Sequence, residues 1–409
     1  MKRFFLMSLT VLSVLIMGSA LSAGAAQPIK IGVVSPVSGN YGDHGDLERA
    51  GMTLALHELG GKMLDRPVEF IVVDSETNPD TAARRARSLI EKDGVKILMG
   101  GVSSSECAAI AAVAQERNVL YFATNGNSDE LSSIKAVRNM FRSATSMATQ
   151  GRAVGTYVIE KLGKKKWFFL THDYSWGHSG TRWARDVLKK NNGTEVGEVK
   201  VPMGTRDFSA QLLQIRNNPD AEVLMITLAG FDNVALMKQL AEYRIHDKMQ
   251  VVYTLQEFCD IYPLKPEEHR GIYATEVSWD ENPVMIETSK KFAQMYPKAA
   301  APVIDNGNYN GYVVVMALNE AMKKAGTADD VDKLICALEG LEVKKNLRPT
   351  PTYIDPRTHQ FLSKVVVVEG NAKGTGTDIW KMIQSYDATK FDMTKEENPI
   401  DISCAAKKK

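Results

Sequence analysis

From residue 29 onward, short apolar runs alternate with longer amphipathic segments, with few interruptions. Residues 29–34, 68–74, 95–100 and 119–122 read as strands, and 46–59, 81–92 and 106–117 between them as helices. Apolar runs of this kind suit a parallel sheet covered on both faces, because both faces of each strand are then buried. The pattern predicts a doubly wound α/β unit. After residue 142 the rhythm restarts, with helices at 150–162, 181–191, 208–216 and 233–243 and strands at 167–171, 195–201, 223–228 and 250–253. Two consecutive sheets of similar size predict two lobes. The pattern breaks at 273–280 and resumes as helices at 286–296 and 306–324. Residues 344–355 are extended and followed by Pro356, with Pro349 and Pro351 inside them; proline disfavours helix in the residue before it, so this stretch reads as a connector ahead of a strand at 364–368. Beyond Asp387 the chain reads as a polar tail.

The first 26 residues have a different character. Lys2 and Arg3 precede an apolar run from 4 to 17, and small residues fill 20–26 ahead of Gln27. This is the three-part layout of a cleavable export signal, with cleavage expected near Ala26 and a periplasmic product. The apolar run is shorter than the roughly 20 residues of a membrane span. No Cys stands near the cleavage point to take a lipid. Removing Lys2 and Arg3 takes 50 basic residues to 48 against 49 acidic ones, and no basic stripe is visible beyond the short clusters at 164–166 and 407–409, so nucleic acid is not an expected partner. The remaining ~380 residues exceed one ordinary core and suit two domains. The four cysteines, Cys107, Cys259, Cys336 and Cys404, match no zinc spacing, and their connectivity is not readable from sequence; a bond tying Cys404 to the body of the molecule is one option.

Catalytic patterns fail in turn. His57-Glu58 begins like a zinc-protease helix, but Gly61 stands where the second His belongs. Gly39, Gly42 and Gly45 follow the first strand without the G-x-G-x-x-G spacing, and neither a phosphate-binding G-x-x-x-x-G-K-[ST] loop nor G-x-S-x-G occurs. The reading is of a binder, not an enzyme, with no cofactor and no metal. Polar residues at strand ends remain. Ser103, Ser104 and Ser105 follow the strand ending at Gly100 and open a helix, where hydroxyls and free N–H groups suit a carboxylate. Serine is equally preferred there as a helix cap, and position alone leaves both readings open.

Several segments carry a resemblance: Ile31-Gly32-Val33-Val34, Ser38-Gly39 through Tyr41-Gly42, Ala50-Gly51, the strand closing on Asp74, and Gly100-Gly101-Val102-Ser103-Ser104-Ser105. Asp173-Tyr174 with Trp176-Gly177, and Asp207-Phe208-Ser209, continue the series. In order and spacing the chain resembles the leucine/isoleucine/valine-binding protein family, the type I periplasmic binding proteins of ABC importers, from Ile29 to about Val368. The resemblance implies two Rossmann-like lobes joined by three crossovers, near 142–145, 273–278 and 348–353, closing on a solute by a hinge motion. Lobe 1 is then 27–143 with 276–350, lobe 2 is 144–275 with 351–386, and 387–409 is the tail. Carried over by position, Ser104 holds a ligand carboxylate, Val102 and Ser103 line the same wall, and Asn125, Gly126 and Asn127 hold carboxylate and ammonium. Tyr41 packs on the apolar part, Trp176 shuts over the ligand, Phe231 is a further wall, and Glu257 pairs with the α-ammonium.

Amino-acid binders of this family commonly carry Thr where Asn127 stands, and Asn can meet an amide or another neutral polar group as well. The expected function is therefore capture of a hydrophobic or aromatic amino acid for a membrane permease by a monomeric protein. An aromatic acid or short amide is the alternative within the class, and a ligand-sensing receptor lobe of the same fold the alternative outside it.

Overall fold

The computed structural model describes residues 27–406; the export signal expected at 1–26 and the basic cluster at 407–409 lie outside the described residues. In the first lobe the chain runs β1 (Ile29–Ser35), α1 (Gly42–Glu58), β2 (Lys62–Met63), β3 (Arg66–Asp74), α2 (Pro79–Asp93), β4 (Ile97–Gly100), α3 (Ser104–Arg117), β5 (Leu120–Ala123) and β6 (Met140–Arg142). The sheet order is β2-β3-β1-β4-β5-β6. All neighbours are parallel except β2, which runs antiparallel to β3. Both faces are covered: Ile31, Val33, Met99 and Phe122 enter one core, and Val34, Leu98, Tyr121 and Ala123 enter another beneath α2 and α3.

The second lobe starts with α4 (Met147–Tyr157), β7 (Lys166–His172), α5 (Ser175–Lys190), β8 (Thr194–Val201), α6 (Ser209–Asn217), β9 (Val223–Thr227) and α7 (Gly230–Glu242). It continues through β10 (Gln250–Tyr253), the short α8 (Phe258–Ile261) and β11 (Ile272–Thr275). The chain then leaves through α9 (Pro283–Met295), α10 (Asn306–Ala325) and α11 (Val331–Leu338). α10 lies along α1 at close range: a Cβ on Gly51 would stand 2.1 Å from the Asn308 carbonyl oxygen, and one on Gly311 2.1 Å from that of Glu48. Only glycine permits that approach.

The stretch expected to be a plain connector carries structure. β12 (Glu342–Val343), β13 (Thr352–Ile354) and β14 (Phe361–Leu362) form a small antiparallel sheet, so the prolines interrupt helix but leave the flanking backbone free to pair. β15 (Lys364–Gly370) and β16 (Trp380–Asp387) then complete the second sheet, in the order β16-β15-β11-β10-β9-β7-β8, with both added antiparallel. The chain thus passes between the sheets after β6, after β11 and after β14. Among the described residues no helix is long and apolar enough to cross a membrane.

The tail is not loose. Cys404 is disulfide-bonded to Cys336 on α11, while Cys107 and Cys259 are free and buried. Arg152 on α4 donates to the carbonyls of Phe391 and Asp392, each at 3.0 Å, and Asn398 Nδ2 donates to the Ser132 carbonyl at 2.7 Å. The segment after β16 therefore straps both lobes.

Candidate functional site

The lobes meet where their parallel strands end, the place at which open α/β sheets present loops and helix starts to a ligand. A cavity of about 20 Å³ lies there. Tyr41 and His44 reach it from the start of α1, Val102 from the turn after β4, and Asn125 and Asn127 from the turn after β5. From the other lobe come Tyr174 and Trp176 after β7, Ala229 after β9, and Leu255 and Glu257 after β10. The walls stand close. The hydroxyls of Tyr41 and Tyr174 are 2.9 Å apart across the cleft. The backbone N–H groups of Phe258 and Cys259 each donate to Asp305, the cap of α10, at 2.9 Å. Asp129 accepts from Ser179 and Trp183 and, at 3.0 Å, from the backbone N–H of Ala148.

Glu257 is 7 % exposed, and its Oε2 is buried without a hydrogen-bond partner. Burial first, and then the charges of Asp305, Asp260, Glu276 and Glu48, hold its carboxyl well above the usual range. The nearest basic group is His44, whose Nε2 lies 3.7 Å from Glu257 Oε2 and 3.4 Å from Asp260 Oδ1. Asp260 is raised as well, by burial, although it accepts from the Gly230 N–H at 3.0 Å. Among the described residues no Lys or Arg lines the cavity. On the first-lobe side, Asn127 Nδ2 donates to the Thr145 carbonyl at 2.9 Å and to Glu276 Oε1 at 2.7 Å. Asn310 Nδ2 donates to Asn125 Oδ1 at 3.2 Å and to Glu276 Oε2 at 3.0 Å, leaving Asn125 Nδ2 buried and unpartnered. Burial pushes Glu276 up to about 7 despite these bonds.

Among the described residues one group of donors could hold a metal ion: His44, Glu257 and Cys259 place N, O and S atoms within 4.8 Å of one another. Burial and the neighbouring Asp305, Asp260 and Glu257 push the Cys259 thiol well up. The cleft as a whole offers an unpaired acid, an unpaired amide donor and aromatic faces. That set suits recognition of a small polar solute.

Comparison with known proteins agrees. A family model described as periplasmic binding protein matches residues 28–375. The chain belongs to the periplasmic binding protein family, in its leucine/isoleucine/valine-binding type. Leu/Ile/Val-binding protein homolog 6 of Brucella melitensis is 25% identical over 398 residues, covering 95% of this chain and 97% of that protein. A periplasmic binding protein from Burkholderia mallei superposes with a TM-score of 0.84 at 25% identity, over 91% of this chain and 98% of that one. An ABC-transporter solute-binding protein from Rhodopseudomonas palustris, solved with 3,4-dihydroxybenzoic acid, gives 0.80 at 21% identity, over 88% and 98%. Members of this family are exported solute-binding components of ABC transporters and work with a membrane permease.

In this binding protein, six of the residues expected at the site line the cavity: Tyr41, Val102, Asn125, Asn127, Trp176 and Glu257. Ser103 caps α3, accepting from the Glu106 N–H at 3.2 Å and donating its own N–H to Glu106 Oε2 at 2.9 Å. Ser104 Oγ accepts from the Ser128 N–H at 3.1 Å, so both serines sit behind the wall. Gly126 backs onto Cys107 and Leu131. Phe231 is out of place: it is 42 % exposed, stands over Arg206, and lines an open groove on the second lobe with Lys238 and Gln239. Gly230 is the reason. It adopts φ +71°, and a Cβ there would lie 2.7 Å from the Tyr41 ring, so the chain turns at 230, with Ala229 on the cleft and Phe231 outside. His44, Tyr174, Ala229 and Leu255 line the cavity without having been expected there. Tyr174 could have been found from Asp173-Tyr174 beside Trp176; nothing local in the sequence marks His44.

Proposed function

We propose that this binding protein captures an α-amino acid between its lobes and presents the closed form to a permease. The observation that carries this reading is Glu257, a buried carboxylate facing the cavity with an unpartnered oxygen and no Lys or Arg among the lining residues. A buried acid in that position gains from a cation, and an α-ammonium supplies one with three donors. Asn125 Nδ2, beside the opening turn of α3, is the donor for the carboxylate. Val102, Trp176, Ala229 and Leu255 give the side chain apolar surface.

A likeness to a dihydroxybenzoate-bound relative raises the aromatic acid as a rival. Such a ligand brings a carboxylate and no ammonium, so it leaves Glu257 uncompensated and adds negative charge beside it. A thermal-shift panel of amino acids, hydroxybenzoates and short amides tests the choice, because a ligand that binds the folded state raises its melting temperature. The reading expects an amino acid to give the largest shift. A shift from hydroxybenzoates with none from any amino acid contradicts it.

A further inference from the structure

The cleft holds an unmet hydrogen-bonding side chain, His44, beyond the two assigned to the common part of an α-amino acid. Tyr41 and Tyr174 pair with one another, and Asn127 uses its amide hydrogens on Thr145 and Glu276. Three lining residues keep buried polar atoms without a hydrogen-bond partner: Asn125 at Nδ2, Glu257 at Oε2, and His44 at both ring nitrogens. In the reading above, the carboxylate answers Asn125 and the ammonium answers Glu257. His44 is then left for the solute's side chain, the part on which the neighbouring Tyr41 ring packs in that reading.

His44 is 2 % exposed, in the first turn of α1, with the Tyr41 ring edge-on at 5.3 Å between centroids. It faces Asp260 and Glu257 at 3.4 and 3.7 Å, within the range of charge interaction but without a hydrogen bond to either. A buried imidazole nitrogen left unpaired is costly, and a group that enters the cavity and bonds to it recovers that cost. Neutral imidazole has one donor and one acceptor nitrogen, so a hydroxyl or a carboxamide can serve either.

We propose that His44 is a specificity-determining residue that hydrogen-bonds a polar group on the solute's side chain, so that the solute is an amino acid with an apolar body bearing one hydroxyl or carboxamide. The proposal rests on the amino-acid reading of the cleft. It predicts discrimination within pairs of nearly equal shape, because a site built to bond a hydroxyl is left with an unpaired group by the analogue that lacks it.

The test is titration calorimetry on the purified protein, refolded to remove carried-over solute, with threonine against valine and tyrosine against phenylalanine. In at least one pair the polar member binds about tenfold tighter or better. His44→Leu and His44→Ala bring that ratio to within about twofold, and His44→Gln, which keeps a donor and an acceptor, restores part of it. Two apolar variants are used so that a folding defect in one leaves the other readable. A His44 that serves only to hold Asp260 weakens both members of a pair equally, and an unchanged ratio in the variants overturns the proposal. So does a wild-type protein that binds the apolar member more tightly in both pairs. Absence of binding by every α-amino acid in the wild type removes the underlying reading and the proposal together, and that outcome is visible before any variant is made.

Discussion

On the first-lobe side of the cleft, Ser103, Ser104 and Asn127 have hydrogen bonds already made, to Glu106 and Ser128 and, at the crossovers, to Thr145 and Glu276. On the second-lobe side, Glu257 stands at the head of α8 with a buried oxygen that nothing bonds. Satisfied groups hold a wall in shape whether or not a solute is present, since they gain nothing further from one. An unsatisfied buried acid makes the energy of the closed form depend on what lies between the walls. The satisfied groups are therefore a template, and Glu257, together with Asn125 Nδ2 and His44 on the first lobe, is where occupancy is read.

The largest effect is expected where the walls touch. Gly230→Val sets a side chain against the Tyr41 ring and the Asn40 carbonyl, 2.7 and 2.8 Å from the added Cβ. The added side chain opposes closing, and at φ +71° it also strains the start of α7. Affinity falls by about a thousandfold, because apparent affinity scales with the fraction able to close. Calorimetry with an unchanged far-ultraviolet spectrum is the measurement, and wild-type affinity in the variant removes the closed cleft as the binding form.

Next is Glu48, buried beneath the first wall, where it accepts from Thr124 Oγ1. Burial pushes it from 4.5 to about 7. A folded-state value above the unfolded one gives stability that is present below pH 4.5 and lost as pH rises through 7. Glu48→Gln mimics the protonated acid, so in urea titrations it matches the wild type at pH 4 and exceeds it by about 3 kcal/mol at pH 8, at about 1.4 kcal/mol per unit. Equal pH slopes for variant and wild type contradict this. The smallest effect separates the walls most finely. Ser104→Ala costs about 1 kcal/mol of stability by unpairing the Ser128 N–H, yet shifts solute affinity by less than about threefold. A large loss of affinity instead makes Ser104 part of the reading surface.

The lobes were legible because buried parallel strands write themselves as uninterrupted apolar runs such as 29–34 and 223–228. Tyr41, Trp176 and Glu257 were expected from the family resemblance, and each stands after a strand, where a cleft forms in this architecture. Phe231 was misplaced because a glycine with positive φ decides which neighbour faces inward, and no side-chain pattern carries that information. His44 was missed because a histidine on a buried helix is ordinarily bonded, and only the three-dimensional arrangement shows that this one is not. The pairing of Cys336 with Cys404 depends on how the tail crosses α11, which lies outside any local pattern.

The central claim, that Glu257 meets a cation, is tested most directly by calorimetric titration of wild type and Glu257→Gln with the amino acid that gives the largest thermal shift. Glutamine keeps the shape and removes the charge, and loss of a buried charged hydrogen bond predicts a fall in affinity of about a hundredfold. Because the Glu257 carboxyl sits well above 4.5, holding an ammonium requires that it give up its proton. Wild-type affinity therefore strengthens as pH rises through that range, and the heat differs between buffers of unlike ionisation enthalpy, whereas the variant shows neither dependence. Affinity within a factor of about two of wild type in Glu257→Gln, with the same pH profile, contradicts the account.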